Sequence, residues 1–138
     1  MPTSLPDPHS LQVLVDENLA DAAIAIALGA VGYNATAVRE RFGAGTDDPT
    51  LIQWLGLQTG IWITRDKKAK SKHAAEIENS QIHIAWVRFP KKQGLSMKNQ
   101  LLLILWCIDD ILEQMGRSRQ PARFLLYYNG KRPKLDRL

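Results

Sequence analysis

Three aspartates have the residue type and the spacing expected of a metal site. Asp16 and Asp66 each follow a short apolar run that is typical of a buried strand, and Asp48 precedes a helical pattern that begins with Pro49. Carboxylates that converge repel each other unless a cation lies between them. Mg²⁺ favours carboxylate, water and phosphate oxygens as ligands. This set therefore predicts a site for a hard divalent metal and metal-assisted phosphoryl chemistry.

Each of these acids also has a purely structural explanation when it is taken alone. Asp16 or Asn18 could cap the next helix, Asp48 before Pro49 is a common helix start, and Asp66 also precedes a helical pattern. The functional interpretation depends on their joint occurrence, because ligands bind in the crevice at the carboxyl ends of strands in an open α/β sheet. We expect the site to be open and wet, with room for substrate phosphates.

The composition of the chain is that of a soluble globular protein with a basic surface. The 138 residues favour one domain, and the net charge of +4 is compatible with RNA or DNA as a partner. Cys107 is the only cysteine, which excludes an internal disulfide. The N-terminus shows no secretory signal, and the longest apolar run, Leu101 to Ile108, is far shorter than the ~20 residues that span a bilayer. We therefore expect a cytoplasmic protein without membrane association.

Strand-like and helix-like patterns alternate along the chain, which predicts an α/β fold. The expected architecture is a three-layer α/β/α sandwich with a central, mostly parallel five-stranded sheet. The predicted strands are Leu11 to Val15, Asn34 to Val38, Ile61 to Thr64, Ile82 to Phe89 and Phe124 to Tyr128. The predicted helices run from Leu19 to Ala30 with Asn18 as cap, from Asp47 or Asp48 onwards, from Lys67 to Asn79, and from Ser96 as cap to Met115. Arg39 to Thr46 is expected to be a loop.

Three motifs, in this order, resemble the PIN-like domains, and most closely the short bacterial branch related to VapC-type toxins. They are Leu14-Val15-Asp16-Glu17-Asn18-Leu19, Gly45-Thr46-Asp47-Asp48-Pro49-Thr50-Leu51-Ile52 and Trp62-Ile63-Thr64-Arg65-Asp66-Lys67. In that branch a first strand ends in Asp-Glu-Asn, an aspartate starts a helix, and a later strand ends in Thr-x-Asp. The resemblance covers residues 11 to about 90. It implies one PIN-like domain over residues 11–130, between a flexible leader (1–10) and a basic tail (131–138).

The resemblance implies a metal-dependent endoribonuclease that acts as the toxin of a toxin–antitoxin pair, with a cognate antitoxin protein as partner. By position, Asp16, Asp48 and Asp66 would be catalytic and would bind Mg²⁺ or Mn²⁺. Glu17 would bind the metal or support a residue that does. Asn18 and Thr64 would also belong to the implied site. Asp47 is an alternative to Asp48 as the acid that points into it.

One feature departs from the family pattern. PIN nucleases offer a fourth acid near the end of the next strand, whereas here that strand ends Trp86-Val87-Arg88-Phe89-Pro90, without a carboxylate. This difference favours one metal over two, or a weakened enzyme.

Basic residues surround the predicted acids in sequence. Those expected to contact RNA phosphates are Arg39, Arg41, Arg65, Lys67, Lys68 and Lys70. The alternative for the lysine run is a solvated helix face. On the long helix, Leu102, Leu103 and Trp106 lie off the main apolar stripe, which is explained either by burial or by an interface with a second copy in a homodimer or with an antitoxin.

Two other functions fit parts of the pattern. A phospho-acceptor receiver domain also carries acids after its first and third strands, but it leaves Asp47 and Asp48 unexplained. A non-catalytic PIN-like module that binds RNA or a partner is compatible with the missing fourth acid. His83 lies within a predicted strand, where we expect a hydrogen-bonded sheet residue and not a catalytic one.

Overall fold

The structure is a computed structural model that describes residues 10–58, 60–65, 79–90 and 93–138. Residues 1–9 of the predicted leader lie outside the described residues. So do Asp66, the lysine run after it, and all but the last residue of the helix predicted from Lys67 to Asn79.

The described part of the chain contains six strands interspersed with four helices. The strands are β1 (Gln12–Val15), β2 (Asn34–Ala37), β3 (Ile61–Arg65), β4 (His83–Val87), β5 (Arg123–Asn129) and β6 (Arg132–Arg137). The helices are α1 (Asp21–Ala30), α2 (Val38–Phe42), α3 (Asp48–Gly56) and α4 (Met97–Arg117). The predicted α/β class is confirmed, and within the described ranges no helix has the length and apolar character needed to cross a bilayer.

The strands form one mixed sheet in the order β2-β1-β3-β4-β5-β6. The pairs from β2 to β5 are parallel, and β6 pairs antiparallel with β5. The prediction of five strands is wrong, because the segment expected to be a basic tail forms β6. A tight turn joins β5 to β6, and Gly130 takes the positive φ of 63° that this turn requires.

Apolar side chains cover both faces of the sheet, which makes three layers. On one face α1 and α4 pack over strand residues that include Val13, Ile63 and Leu126. On the other face α2 and α3 pack over the alternate residues, which include Leu14 and Trp62. Successive side chains of a strand point to opposite faces, so both cores follow from the near-continuous apolar runs of the parallel strands.

The helix starts agree only in part with the sequence prediction. Asp47 caps α3 by accepting a hydrogen bond from the Thr50 N–H, and Ser96 caps α4. Asn18 does not cap α1, which begins at Asp21 without a side-chain cap. The predicted loop from Arg39 to Thr46 contains most of the short helix α2.

Substituting Gly60 tests the contact between α3 and β1. A Cβ at Gly60 would lie 2.4 Å from Leu55 Cδ1 and 2.6 Å from the Gln12 carbonyl oxygen. We expect Gly60→Ala to lower the free energy of unfolding by about 1–3 kcal/mol, since backbone must move to relieve the clash. The control is Gly29→Ala in α1, where no heavy atom lies within 4 Å of the added Cβ. There we expect a gain of roughly 0.5–1 kcal/mol in urea denaturation, and equal effects at the two sites would contradict the packing.

His83 predicts how stability depends on pH. Its Nδ1 accepts a hydrogen bond of 2.8 Å from the Ala122 N–H, which confirms the sheet role expected from sequence. Burial, and then the charges of Arg123 and Arg137, lower the pKa of His83 from 6.5 to about 4. The unfolded chain therefore binds more protons between these pH values, so this contribution is complete above pH 6.5 and is lost as the pH falls towards 4.

We expect this loss to reach roughly 1–2 kcal/mol once solvent screening is allowed for. The measurement is urea denaturation between pH 7 and 4. His83→Asn keeps an acceptor near Nδ1 and cannot titrate, so its stability should fall less over this range. An equal fall in the variant would show that other groups are responsible.

Candidate functional site

The strand order puts a crevice between the carboxyl ends of β1 and β3. The chain leaves β1 towards β2 on one side and returns to β3 on the other, so the order of strands reverses between β1 and β3. Ligands of open α/β sheets bind at such a point. Asp16 directly follows β1, and Thr64 and Arg65 end β3, so the sheet itself brings these predicted residues together.

Asp16 is the most constrained acid of this crevice. Its side chain is only 6% exposed, and its N–H continues the ladder by donating to the Ile63 carbonyl at 2.9 Å. One carboxylate oxygen accepts a hydrogen bond of 2.5 Å from the Thr64 hydroxyl, and the other accepts one of 2.8 Å from the Glu17 N–H. Both oxygens are thus oriented by groups that the two strand ends supply.

The pKa of Asp16 is raised above its ordinary value of 3.8. Burial is the largest cause, and the nearby negative charges of Asp48 and Glu17 add to it. The hydrogen bonds from Thr64 and from the Glu17 N–H act in the opposite direction but do not cancel the increase. A positive charge near this carboxylate would therefore be more favourable here than at an ordinary surface acid.

Asn18 holds the ends of β1 and β3 together. Its amide nitrogen donates to the Thr64 hydroxyl at 3.1 Å, and its amide oxygen accepts from the Arg65 N–H at 3.1 Å. This bridge occupies the side chain that the sequence suggested as a helix cap. It also positions Thr64, which in turn orients Asp16.

Glu17 connects this crevice to the loop that precedes α3. Its two carboxylate oxygens each lie 3.3 Å from the Gly45 nitrogen, whose N–H they accept. Gly45 has a φ of 79°, so the loop turns sharply at this contact. Arg39 donates from its guanidinium to the Glu17 carbonyl at 3.3 Å. Glu17 thereby fixes the position of the loop that leads to Asp48.

Asp47 and Asp48 have different roles. Asp47 is exposed, and its carboxylate caps α3 through a hydrogen bond of 2.9 Å from the Thr50 N–H. Asp48 is half-buried, and its charge is close enough to Asp16 to raise the pKa of that group. Of the two acids that the sequence left in competition, Asp48 is the one that acts electrostatically on Asp16.

The arginines predicted to contact phosphates do not form one surface with Asp16. The Arg65 guanidinium lies 4.1 Å from the centre of the Phe89 ring, and Phe89 packs on the face that α1 and α4 cover. The Arg41 guanidinium lies 5.8 Å from the Trp54 ring. The Arg39 guanidinium contacts the crevice by donating to the Glu17 carbonyl, whereas Arg65 contacts it through its backbone N–H. Lys67, Lys68 and Lys70 lie outside the described residues.

The donor set of the crevice suits a hard cation. Asp16 and Asp48 offer carboxylate oxygens, the ligand type that Mg²⁺ and Mn²⁺ favour. Within the part of the chain that the structure describes, no group of three His, Cys, Asp or Glu side chains is placed to hold a metal ion. Asp66, the third predicted ligand, follows β3 directly and lies outside that part.

Sequence reasoning missed two buried polar residues that support the site. Asp21 is 4% exposed and accepts a hydrogen bond of 3.0 Å from the Arg39 N–H in the first turn of α2. Gln100 is 7% exposed, and it accepts from the Ala20 N–H at 2.7 Å and donates to the Leu95 carbonyl at 2.9 Å. The Asp21–Arg39 and Gln100–Ala20 contacts join residues 18 and 80 positions apart, so no local sequence pattern predicts them.

Comparison of the chain with protein families, with curated proteins and with solved structures finds no match.

Replacing Asp16 tests whether its buried charge lowers the free energy of unfolding. Asp16→Asn keeps the size of the side chain and one acceptor oxygen but removes the buried charge. Without added metal at pH 7, we expect a gain of roughly 0.5–2 kcal/mol in the free energy of unfolding, as is common when a functional site is neutralised. The control is Asp110→Asn on the exposed surface of α4, where we expect a change within about 0.5 kcal/mol.

The pH dependence of this gain has a definite sign. Because the pKa of Asp16 is raised in the folded state, the native protein binds more protons than the unfolded chain between 3.8 and that higher pKa. The gain in Asp16→Asn should therefore grow as the pH rises through this window and level off above it. A variant that is less stable than the parent at neutral pH would show that the hydrogen bonds outweigh the cost of the charge.

Proposed function

We propose that this protein is a metal-dependent endoribonuclease in which Asp16, Asp48 and Asp66 hold Mg²⁺ or Mn²⁺. The observation that carries the proposal is the desolvated carboxylate of Asp16 at the switch point of the sheet, with the charge of Asp48 close to it. The resemblance of the three sequence motifs to PIN-like domains supports the same activity. We extend the proposal, on that resemblance, to the toxin of a toxin–antitoxin pair with an antitoxin protein as partner.

The residues of the crevice have separate tasks in this proposal. Thr64 and the Glu17 N–H fix the two oxygens of Asp16, and Asn18 fixes Thr64. Glu17 anchors the loop that brings Asp48 to the crevice. Mg²⁺ or Mn²⁺ held by these carboxylates would supply Lewis acidity towards a phosphodiester. The net positive charge of the chain favours approach of a polyanion.

A receiver-like phospho-acceptor domain is the second candidate, because one observation favours it. The order β2-β1-β3-β4-β5 is that of flavodoxin-like folds, to which receiver domains belong. In that function Asp66 would accept a phosphoryl group. Acetyl phosphate labelling that disappears in Asp66→Asn would favour this candidate over the nuclease. Arg88 at the end of β4, in place of the hydroxyl residue expected of a receiver, weighs against it.

The decisive experiment is cleavage of a mixed pool of tRNA, rRNA fragments and mRNA in Mn²⁺, Mg²⁺ or EDTA. We expect cleavage that needs metal and is lost in Asp16→Asn, Asp48→Asn and Asp66→Asn. Thr64→Val removes the hydroxyl that orients Asp16 and accepts from Asn18 but leaves the acids in place, so we expect a loss of about 10–100-fold. Asp110→Asn, a matched exposed acid, should cut as the parent does.

A thermal shift measurement separates metal binding from cleavage. We expect Mn²⁺ to raise the melting temperature of the parent chain and of Asp110→Asn, but not that of Asp16→Asn, because a ligand that binds only the native state stabilises it. Folded protein that binds Mn²⁺ without cutting any RNA of the pool would instead favour the non-catalytic PIN-like module. Equal shifts in all three proteins would place the metal elsewhere.

A further inference from the structure

Arg88 directly follows β4. PIN nucleases, which the sequence motifs resemble, have a fourth acid near this position. Thr64 pairs with Trp86 in the sheet register, and Arg88 follows Trp86 by two residues. Side chains alternate along a strand, so Arg88 lies on the same face as Thr64. That face is the one over which α3 packs, and the strand register places Asp16 on it as well. Arg88 is exposed there, at the same carboxyl edge of the sheet as the crevice.

Arg88 contacts an aromatic ring on the neighbouring strand. Its guanidinium lies 5.5 Å from the centre of the Tyr127 ring, within the range of a cation–π contact. Tyr127 is half-buried and packs against the core beneath α3. A hydrogen bond to Asp136 is the largest cause that raises the pKa of Tyr127, so the phenol stays neutral near pH 7. The ring is therefore uncharged, with the Arg88 guanidinium over it and the Asp136 carboxylate at its hydroxyl group.

A second basic residue is paired with Tyr127 on the next strand. Lys134 of β6 is the register partner of Tyr127, and opposite residues of an antiparallel pair share a face of the sheet. Lys134 is exposed. The three side chains Arg88, Tyr127 and Lys134 thus stand in a row across β4, β5 and β6. Arg88 lies two strands away from Asp16, which is about 10 Å across the sheet.

We propose that Arg88, Tyr127 and Lys134 form a binding track for single-stranded RNA, with one base stacked on the Tyr127 ring and adjacent phosphates held by Arg88 and Lys134. The proposal rests on the proposed nuclease function and names its substrate class. Proteins that bind single strands combine aromatic platforms with basic side chains along the backbone. A duplex hides the faces of its bases, so it cannot stack on an isolated ring in this way.

The track runs away from the crevice and not across the opposite face of the sheet. Arg65 and Phe89 form a similar pair, but they lie on the face that α1 and α4 cover. A strand of RNA with one phosphate at Asp16 therefore continues over Arg88 and Tyr127. This direction also accounts for a cation at the end of β4, where a further acid would repel the neighbouring phosphate.

The test is binding of a short, fluorescein-labelled single-stranded RNA of mixed sequence, measured by anisotropy in EDTA at several KCl concentrations. We expect Arg88→Gln and Lys134→Gln each to lower the slope of log K against log salt by about 0.7, the value for one phosphate contact on a single strand. Tyr127→Leu should weaken binding about tenfold without changing the slope, whereas Tyr127→Phe should bind as the parent does.

Arg117→Gln is the matched control for charge. Arg117 is an exposed arginine at the end of α4, near the amino ends of the strands, and it forms a surface ion pair with Glu113 at 2.7 Å. If Arg117→Gln lowers the slope of log K against log salt as much as Arg88→Gln does, RNA is attracted by the overall charge and the track is wrong. Binding within about twofold of the parent in Tyr127→Leu would overturn the stacked base. Unlabelled duplex RNA that competes as well as the single strand would overturn the substrate class.

These outcomes are independent of those for the nuclease. RNA that binds through Arg88 and Tyr127 but is never cut with metal would leave the track standing and remove the enzyme. Metal-dependent cleavage with unchanged RNA affinity in the track variants would support the nuclease and overturn the track. Melting temperatures of all variants within a few degrees of the parent would exclude misfolding as the cause, and Tyr127→Phe supplies a folded comparison in any case.

Discussion

A buried carboxylate is the constraint on which the rest of the site depends. Taking the charge of Asp16 out of water is costly unless hydrogen bonds and opposite charge compensate for it. The two hydrogen bonds that it accepts come from Thr64 and from the backbone of Glu17. The neighbouring acids increase the cost. The fold therefore maintains a position where a proton or a cation is favoured. Glu17 contributes its N–H to this position and its carboxylate to the loop before α3.

The alternation of side chains between the two faces of the sheet decides which residues can act together. Asp16, Thr64 and Arg88 are all separated by even steps in the sheet register, so they share the face that α3 covers. Arg65 is one residue later than Thr64 and falls on the other face with Phe89. Sequence proximity to a predicted acid was therefore a poor guide to which arginine lies beside it. A shift of one residue in the pairing of β3 would exchange the two sets.

The parts of the fold that local patterns encode were predictable from the sequence. The apolar runs of the parallel strands, the Ser96 cap of α4 and the aspartate and Pro49 at the start of α3 appear as expected. β6 was missed because its residues alternate between basic and weakly apolar types and it has no buried face of its own. Asn18 was assigned to its own helix, yet its partners are 46 and 47 residues away. Such contacts depend on register and topology, which no single segment of sequence records.

The same hairpin that adds β6 also determines how the sheet ends. The Leu138 N–H donates to the Arg123 carbonyl, so the alternate backbone groups, including those of Pro133, face outwards along the free edge of β6. Proline has no N–H to offer an incoming strand, and the exposed Arg132 and Lys134 repel a second copy of themselves. The antiparallel strand thus disfavours the addition of a further strand at this edge of the sheet.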